Sequence, residues 1–291
     1  MCKLLIITGA LHRAGITRVL VAANREFAKT ERDGFGFIAT TNGTYARGRY
    51  FEPNRFHGFG RGLPHAVTGD IAEENHLPKF SQTLIVHGRT ATSTKKLANC
   101  HPFMFGDEAL AHNGVVEWIG DPASEPEQEC DSEQFFSWLK SHSWEEAIHD
   151  WAGWGAIAHV NIRTGILTIA RDGAKLYGAK RADSVGWVFA TSQEHLKEIC
   201  KYAGIRLTRD PLLLPNNKIL SFSQRGEVTG VEEWIGFAER QLTYLDAQSW
   251  GSTNDNELHE STSKKRKGHN RGKGKRKGNC SHPSFWERCD S

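Results

Sequence analysis

The sequence has no apolar run near the ~18 residues a membrane-spanning helix needs. Its amino-terminal stretch LLIITGAL is too short for the apolar region of a secretory signal. No basic segment precedes it, and His12 and Arg13 end the apolar run. These absences point to a cytoplasmic protein with no membrane contact. Cysteine is sparse: the six residues, at 2, 100, 130, 200, 280 and 289, follow no framework spacing and read as reduced thiols. Cys280 and His282, with Cys289 nearby, make a poor zinc signature, so neither a metal nor a cofactor is expected. There is no Walker A sequence and no dinucleotide fingerprint; GFGRG at 58–62 has the wrong spacing for either and reads as a flexible loop. No segment recurs with a period of ~20–50 residues, which excludes solenoids and propellers.

What is present describes a globular chain. Its 291 residues include 9 Trp and 15 Phe, enough for a substantial core. The charge is divided unevenly. Residues 264–291 carry +8 and the chain as a whole +3, so the remainder carries −5. GSTNDNELHESTS is linker-like, and the Gly-interspersed tract KKRKGHNRGKGKRKG has no apolar period. We therefore expect a domain over 2–250 and a disordered linker and basic tail over 251–291. The basic tract at 264–277 is either a site for nucleic acid or a solvated tail.

Apolar alternation predicts strands over 3–9, 34–41 and 44–50, with a helix over 16–28 whose Val19, Leu20, Ala23 and Phe27 share one face. TLIVHG (83–88) reads as a buried strand. ALAHNGVVEW (109–118) reads as a hairpin, because Asn-Gly between apolar flanks is a strong turn signal. Residues 119–130 read as a loop, and Asp131 opens a helix over QFFSWLKS. Further strands are expected at 154–162, 165–172 and 185–192, a helix over 193–203 capped by Ser192, and strands at 218–223 and 226–231. Strands in runs with few helices indicate an α+β fold of packed layers.

Four stretches could carry chemistry. Cys2 is a small side chain after the initiator, so Met1 removal would place a thiol and an α-amine on one residue. Their reference pKa values, about 8.5 and 7.7–8.0, suit the amine as general base for its own thiol. Alternatively, Cys2 is a small hydrophobe opening a strand. Arg89, in HGRTATST, could bind a carboxylate bidentately with Thr92 and Ser93 assisting, or could be a surface arginine. Asn113 and Gly114 could donate to an oxyanion, or could simply form a turn. Asp131 could bind an ammonium group or cap its helix.

The order of these motifs resembles that of the class II glutamine amidotransferases, which are N-terminal nucleophile hydrolases. It begins with Cys2 and Arg89 and continues with HPF (101–103), AHNG (111–114) and DSE (131–133). RDGFGFI (32–38), the long segment 153–179 ending near Arg-Asp, and VFATSQEHLKEI (188–199) extend the resemblance over roughly 2–235. Two stretches depart from the family pattern: the loop RTATST, and Glu31-Arg32-Asp33 where relatives carry a histidine- and arginine-containing signature. The resemblance implies a four-layer αββα sandwich and a stand-alone glutaminase domain. In it Cys2 would be the nucleophile, and Asn113 and Gly114 would hold the oxyanion. Arg89 and Thr92 would bind glutamine, Asp131 its α-ammonium, and the loop 89–99 would close as a lid. Ammonia would pass to an acceptor on a separate partner or synthetase protein. The alternatives are an amide or γ-glutamyl hydrolase of the same fold, and a non-catalytic protein associated with nucleic acid.

Overall fold

A computed structural model describes residues 2–31, 33–50, 77–91, 96–119, 130–139 and 141–233. Thr92, the GFGRG loop, most of the 119–130 loop, the linker and the basic tract lie outside the described residues, as do Cys280, His282 and Cys289.

The chain opens with strand β1 (Lys3–His12), which passes directly into helix α1 (Arg13–Phe27). The strand is longer than its apolar run and the helix begins earlier than expected. The junction has no side-chain cap: His12 takes the cap position in extended conformation. Ile16, Val19, Leu20, Ala22, Ala23 and Phe27 form the buried face of α1, as the 3.6-residue period predicts. The antiparallel strands β2 (Gly34–Thr41) and β3 (Thr44–Tyr50) come next in the chain. After them are β4 (Phe80–Arg89), a single 3-10 turn (Leu97–Asn99), β5 (Phe103–Phe105) and β6 (Glu108–Ile119). Helices α2 (Asp131–Trp138) and α3 (Trp144–Asp150) lead into β7 (Trp151–Asn161) and β8 (Leu167–Asp172). The described part closes with β9 (Tyr177–Lys180), β10 (Trp187–Ala190), α4 (Gln193–Ala203), β11 (Leu212–Leu213), β12 (Lys218–Phe222) and β13 (Val228–Glu233).

These strands make two antiparallel sheets. One has the order β11-β9-β10-β1-β4-β2-β3, the other β13-β12-β8-β7-β6-β5. Helices α1 and α4 cover the outer face of the first sheet. Their core packs Ile16, Val19, Leu20, Phe27, Leu196 and Ile199 against Leu5, Ile7, Phe35, Phe37 and Val86. Helices α2 and α3 cover the second, where Phe135, Leu139, Ala147 and Ile148 meet Leu110, Trp151, Ile157 and Ile219. The inner faces meet each other: Phe189 on β10 packs edge-on to Phe222 on β12, with centroids 5.4 Å apart, and the His87 ring on β4 reaches the His112 carbonyl on β6. The layers are helix, sheet, sheet, helix, and the expected αββα sandwich is present.

The expected hairpin at 109–118 is not. Asn113 and Gly114 lie mid-strand in β6, opposite Ala156 and Gly155 of β7. Pairing along the whole length of β7 overrides the local turn preference. Glycines make this close pairing possible: a Cβ on Gly114 would lie 2.0 Å from the Trp154 carbonyl oxygen, and Gly153, at φ +142°, faces the Val115 carbonyl equally closely. The chain instead turns at Gly106, at φ 54°, between β5 and β6.

Candidate active site

Strand β1 places Cys2 at its own amino-terminal end. It is a central strand, paired with β10 on one side and β4 on the other, and Lys3 stands opposite Gly88. Continued by one residue, that register sets Cys2 beside Arg89. The start of β1 is pinned to the turn after β10, where Leu4 N–H donates to Thr191 Oγ1 and Thr191 N–H to the Leu4 carbonyl, both at 3.1 Å. The Cys2 thiol donates to the Thr90 carbonyl at 3.5 Å. Burial pushes this thiol up from its ordinary value and the nearby Glu31 carboxylate adds to the rise, while the Arg89 guanidinium opposes it.

Arg89 is not on a surface loop. Strand β4 runs two residues past His87, pairs Arg89 with Gly34 of β2, and leaves the arginine 4% exposed. Strand β6 supplies Asn113, which is buried and whose Oδ1 has no hydrogen-bond partner among the described residues, and beside it Gly114. Asp131 is the first residue of α2, while Cys130 takes the cap position. The Asp131 carboxylate is tied to both elements it touches: Oδ2 accepts from Val116 N–H at 3.0 Å and Oδ1 from Ser132 N–H at 2.8 Å.

Cys2, Arg89, Asn113, Gly114 and Asp131 line one cavity of about 150 Å³, together with Thr90, His101, His112, Val115, Cys130, Ser132 and Trp154. That volume is below the roughly 300–1,000 Å³ of drug-sized sites, so the cavity suits a small polar molecule. Its lining includes a guanidinium and a carboxylate, which together match the two charges of a free amino acid. Thr92, expected to assist Arg89, lies outside the described residues.

Three buried histidines pack together here, and two of them, His101 and His112, line the cavity, a feature the motif strings contained without revealing a role for it. The His87 and His101 rings lie 4.2 Å apart, His87 Nε2 meets the His112 carbonyl at 3.1 Å, and His112 Nδ1 meets Ser132 Oγ at 3.0 Å. Burial holds His87 down to about 3 and His112 down to about 4, the latter against the pull of Asp131, and also holds His101 well below its ordinary value. All three are neutral at neutral pH and cannot serve as a cationic anchor. Among the described residues, His101 finds no hydrogen-bond partner for either ring nitrogen. Among the described residues, no group of three or more His, Cys, Asp or Glu could hold a metal ion.

Two solved structures share this architecture. One is the glutamine phosphoribosylpyrophosphate amidotransferase from B. subtilis complexed with ADP and GMP. It matches with a TM-score of 0.54 and 19% identity over 80% of this chain and 49% of its own. The fold is that of the N-terminal nucleophile hydrolases. The second is an allosteric regulatory enzyme of purine biosynthesis, with a TM-score of 0.56 and 17% identity over the same shares. The present chain thus spans about half the length of each of these two proteins. No family model and no curated protein matches the sequence. No described helix is long and apolar enough to cross a membrane.

Proposed function

We propose that this chain is a glutamine amidotransferase domain that cleaves the side-chain amide of glutamine through Cys2. The observation that carries this reading is the convergence of Cys2, Arg89, Asn113, Gly114 and Asp131, from four separate segments, on one small cavity. Removal of Met1 makes Cys2 the chain terminus. Arg89 pairs with the α-carboxylate of glutamine and Asp131 with its α-ammonium, and Thr92 adds a contact from the loop. The raised thiol is not ionised at neutral pH, so the nucleophile needs a base, and the α-amine of Cys2 takes its proton. Sulfur attacks the amide carbon, and the oxyanion forms against Asn113 and Gly114. The ammonium returns the proton to the departing nitrogen and ammonia leaves. Water then cleaves the γ-glutamyl thioester, releasing glutamate and restoring the thiol. Ammonia goes to an acceptor on a separate protein in the cytoplasm.

Intact-mass analysis before and after treatment with 6-diazo-5-oxo-norleucine tests the reading. The expected result is loss of Met1 and a single label on Cys2. Burial holds Cys100 up at about 11 and Cys200 at about 12, so neither competes at neutral pH. Cys2→Ala should abolish both glutaminase activity and labelling while near-UV circular dichroism is unchanged. A retained Met1, or a label on another cysteine, would overturn the proposal.

A further inference from the structure

The segment between α1 and β2 contributes two carboxylates that the amidotransferase reading does not use. Glu31 is 2% exposed. Its Oε1 accepts from Thr30 Oγ1 at 2.9 Å and lies 3.6 Å from Lys3 Nζ, and its Oε2 accepts from Thr90 Oγ1. Two residues on, Asp33 Oδ2 accepts from Ala91 N–H at 2.8 Å, while Asp33 N–H donates to the Arg89 carbonyl at 3.1 Å. Arg89, Thr90 and Ala91 are therefore gripped at three successive positions. The middle one, Thr90, carries the carbonyl that accepts from the Cys2 thiol.

A neutral side chain could hold the Thr90 hydroxyl without the cost of burying a charge. What a carboxylate adds is its negative charge, and that charge acts on Cys2. We propose that Glu31 is a positioning residue for the nucleophile: through Thr90 it fixes the partner of the Cys2 thiol, and its carboxylate is the counter-charge to the α-amine of Cys2. This rests on the amidotransferase reading. When the amine takes the thiol proton it becomes an ammonium, and Glu31 stabilises it until the proton passes to the leaving nitrogen.

The other titratable groups facing Cys2 do not duplicate this role. Lys3 and Arg89 are cations. His101 and His112 are held neutral by burial, and Cys100 and Cys130 are held up as thiols. The Asp131 carboxylate, held in place by Val116 and Ser132 N–H, is assigned to the α-ammonium of the substrate.

The test compares the full-length wild type with Glu31→Gln, Glu31→Asp and Thr90→Val. Two quantities are read: the pH dependence of Cys2 alkylation by iodoacetamide, followed by peptide mass, and kcat and KM for glutamine. Glu31→Gln should move the alkylation midpoint down by about one pH unit. It should also lower kcat by about tenfold or more with KM little changed. Glu31→Asp keeps the charge and should recover most of the midpoint. Thr90→Val should keep the midpoint but lower kcat. Coincident midpoints for wild type and folded Glu31→Gln would overturn the counter-charge. A wild-type kcat for Thr90→Val would overturn the fixing role, even if Glu31→Gln failed to fold. If the wild type had no glutaminase activity while the midpoints still differed, the amidotransferase reading would fail and the hold of Glu31 on Cys2 would stand.

Discussion

At the residue scale, the site separates groups that would bind the ends of an amino acid from groups that would meet the reacting amide. Asn113 is buried on a strand and lines the cavity. Its preorganisation costs little because β6 and β7 hold it. Asn113→Ala should therefore lower kcat by about 10²–10³-fold with a small effect on KM, as for loss of one oxyanion donor. Arg89→Lys should do the reverse: KM for glutamine rises by about tenfold or more while kcat changes little, because a single ammonium cannot reproduce a bidentate fork. Steady-state kinetics of both variants distinguishes the roles, and equal effects on kcat would contradict the assignment. The sequence marked these two residues by type and order. It did not reveal Glu31 or the buried histidines, because nothing local distinguishes a buried carboxylate or imidazole from an exposed one.

At the element scale, the pairing of β6 and β7 shapes the wall that carries Asn113. Gly155, like Gly114 and Gly153, leaves no room for a side chain in this pairing: a Cβ there would come within 2.4 Å of His112 Nε2. Gly155→Ala should cost about 1–3 kcal/mol in urea unfolding and reduce activity, because relieving the clash displaces His112 beside the site. Helix α3 offers a contrast. Ser143 Oγ accepts from Glu146 N–H at 3.2 Å and Glu146 Oε2 accepts from Ser143 N–H at 2.8 Å, a complete capping box that takes no part in the cavity lining. Ser143→Ala should cost about 1 kcal/mol by the same measurement and leave kcat unchanged. Both the helix and its cap were legible as Ser-x-x-Glu, yet the helix was not expected. Its seven residues are too few to show an apolar period. The helix at 193–203 was expected and is present with its Ser192 cap, where Ser192 Oγ accepts from His195 N–H at 3.3 Å. There the serine, the period and the terminal Gly204 all agree.

At the scale of the whole molecule, the two sheets enclose His87, His101 and His112 as neutral imidazoles. Each has a folded pKa depressed below its unfolded value of about 6.5. The unfolded chain therefore binds more protons than the folded one below that pH. Stability is complete above about pH 6.5 and falls as pH drops toward the folded values, by about 1.4 kcal/mol per pH unit for each such group. Urea midpoints at pH 7 and pH 5 should differ accordingly, and His112→Asn, if folded, should flatten the slope. A stability independent of pH between 5 and 6.5 would contradict the buried, neutral histidines. The sequence by itself determined the chemical inventory and its order: Cys2 directly after Met1, Arg89, Asn113-Gly114, Asp131, and the apolar periods of most strands and of α1 and α4. Only the tertiary structure decided that Asn-Gly is strand rather than turn, that Arg89 is buried rather than exposed, and that Glu31 stands behind Thr90. The reason is physical. Periodicity and side-chain type act over a few residues, whereas these outcomes depend on strand pairings and sheet packing between segments that only the folded chain brings together.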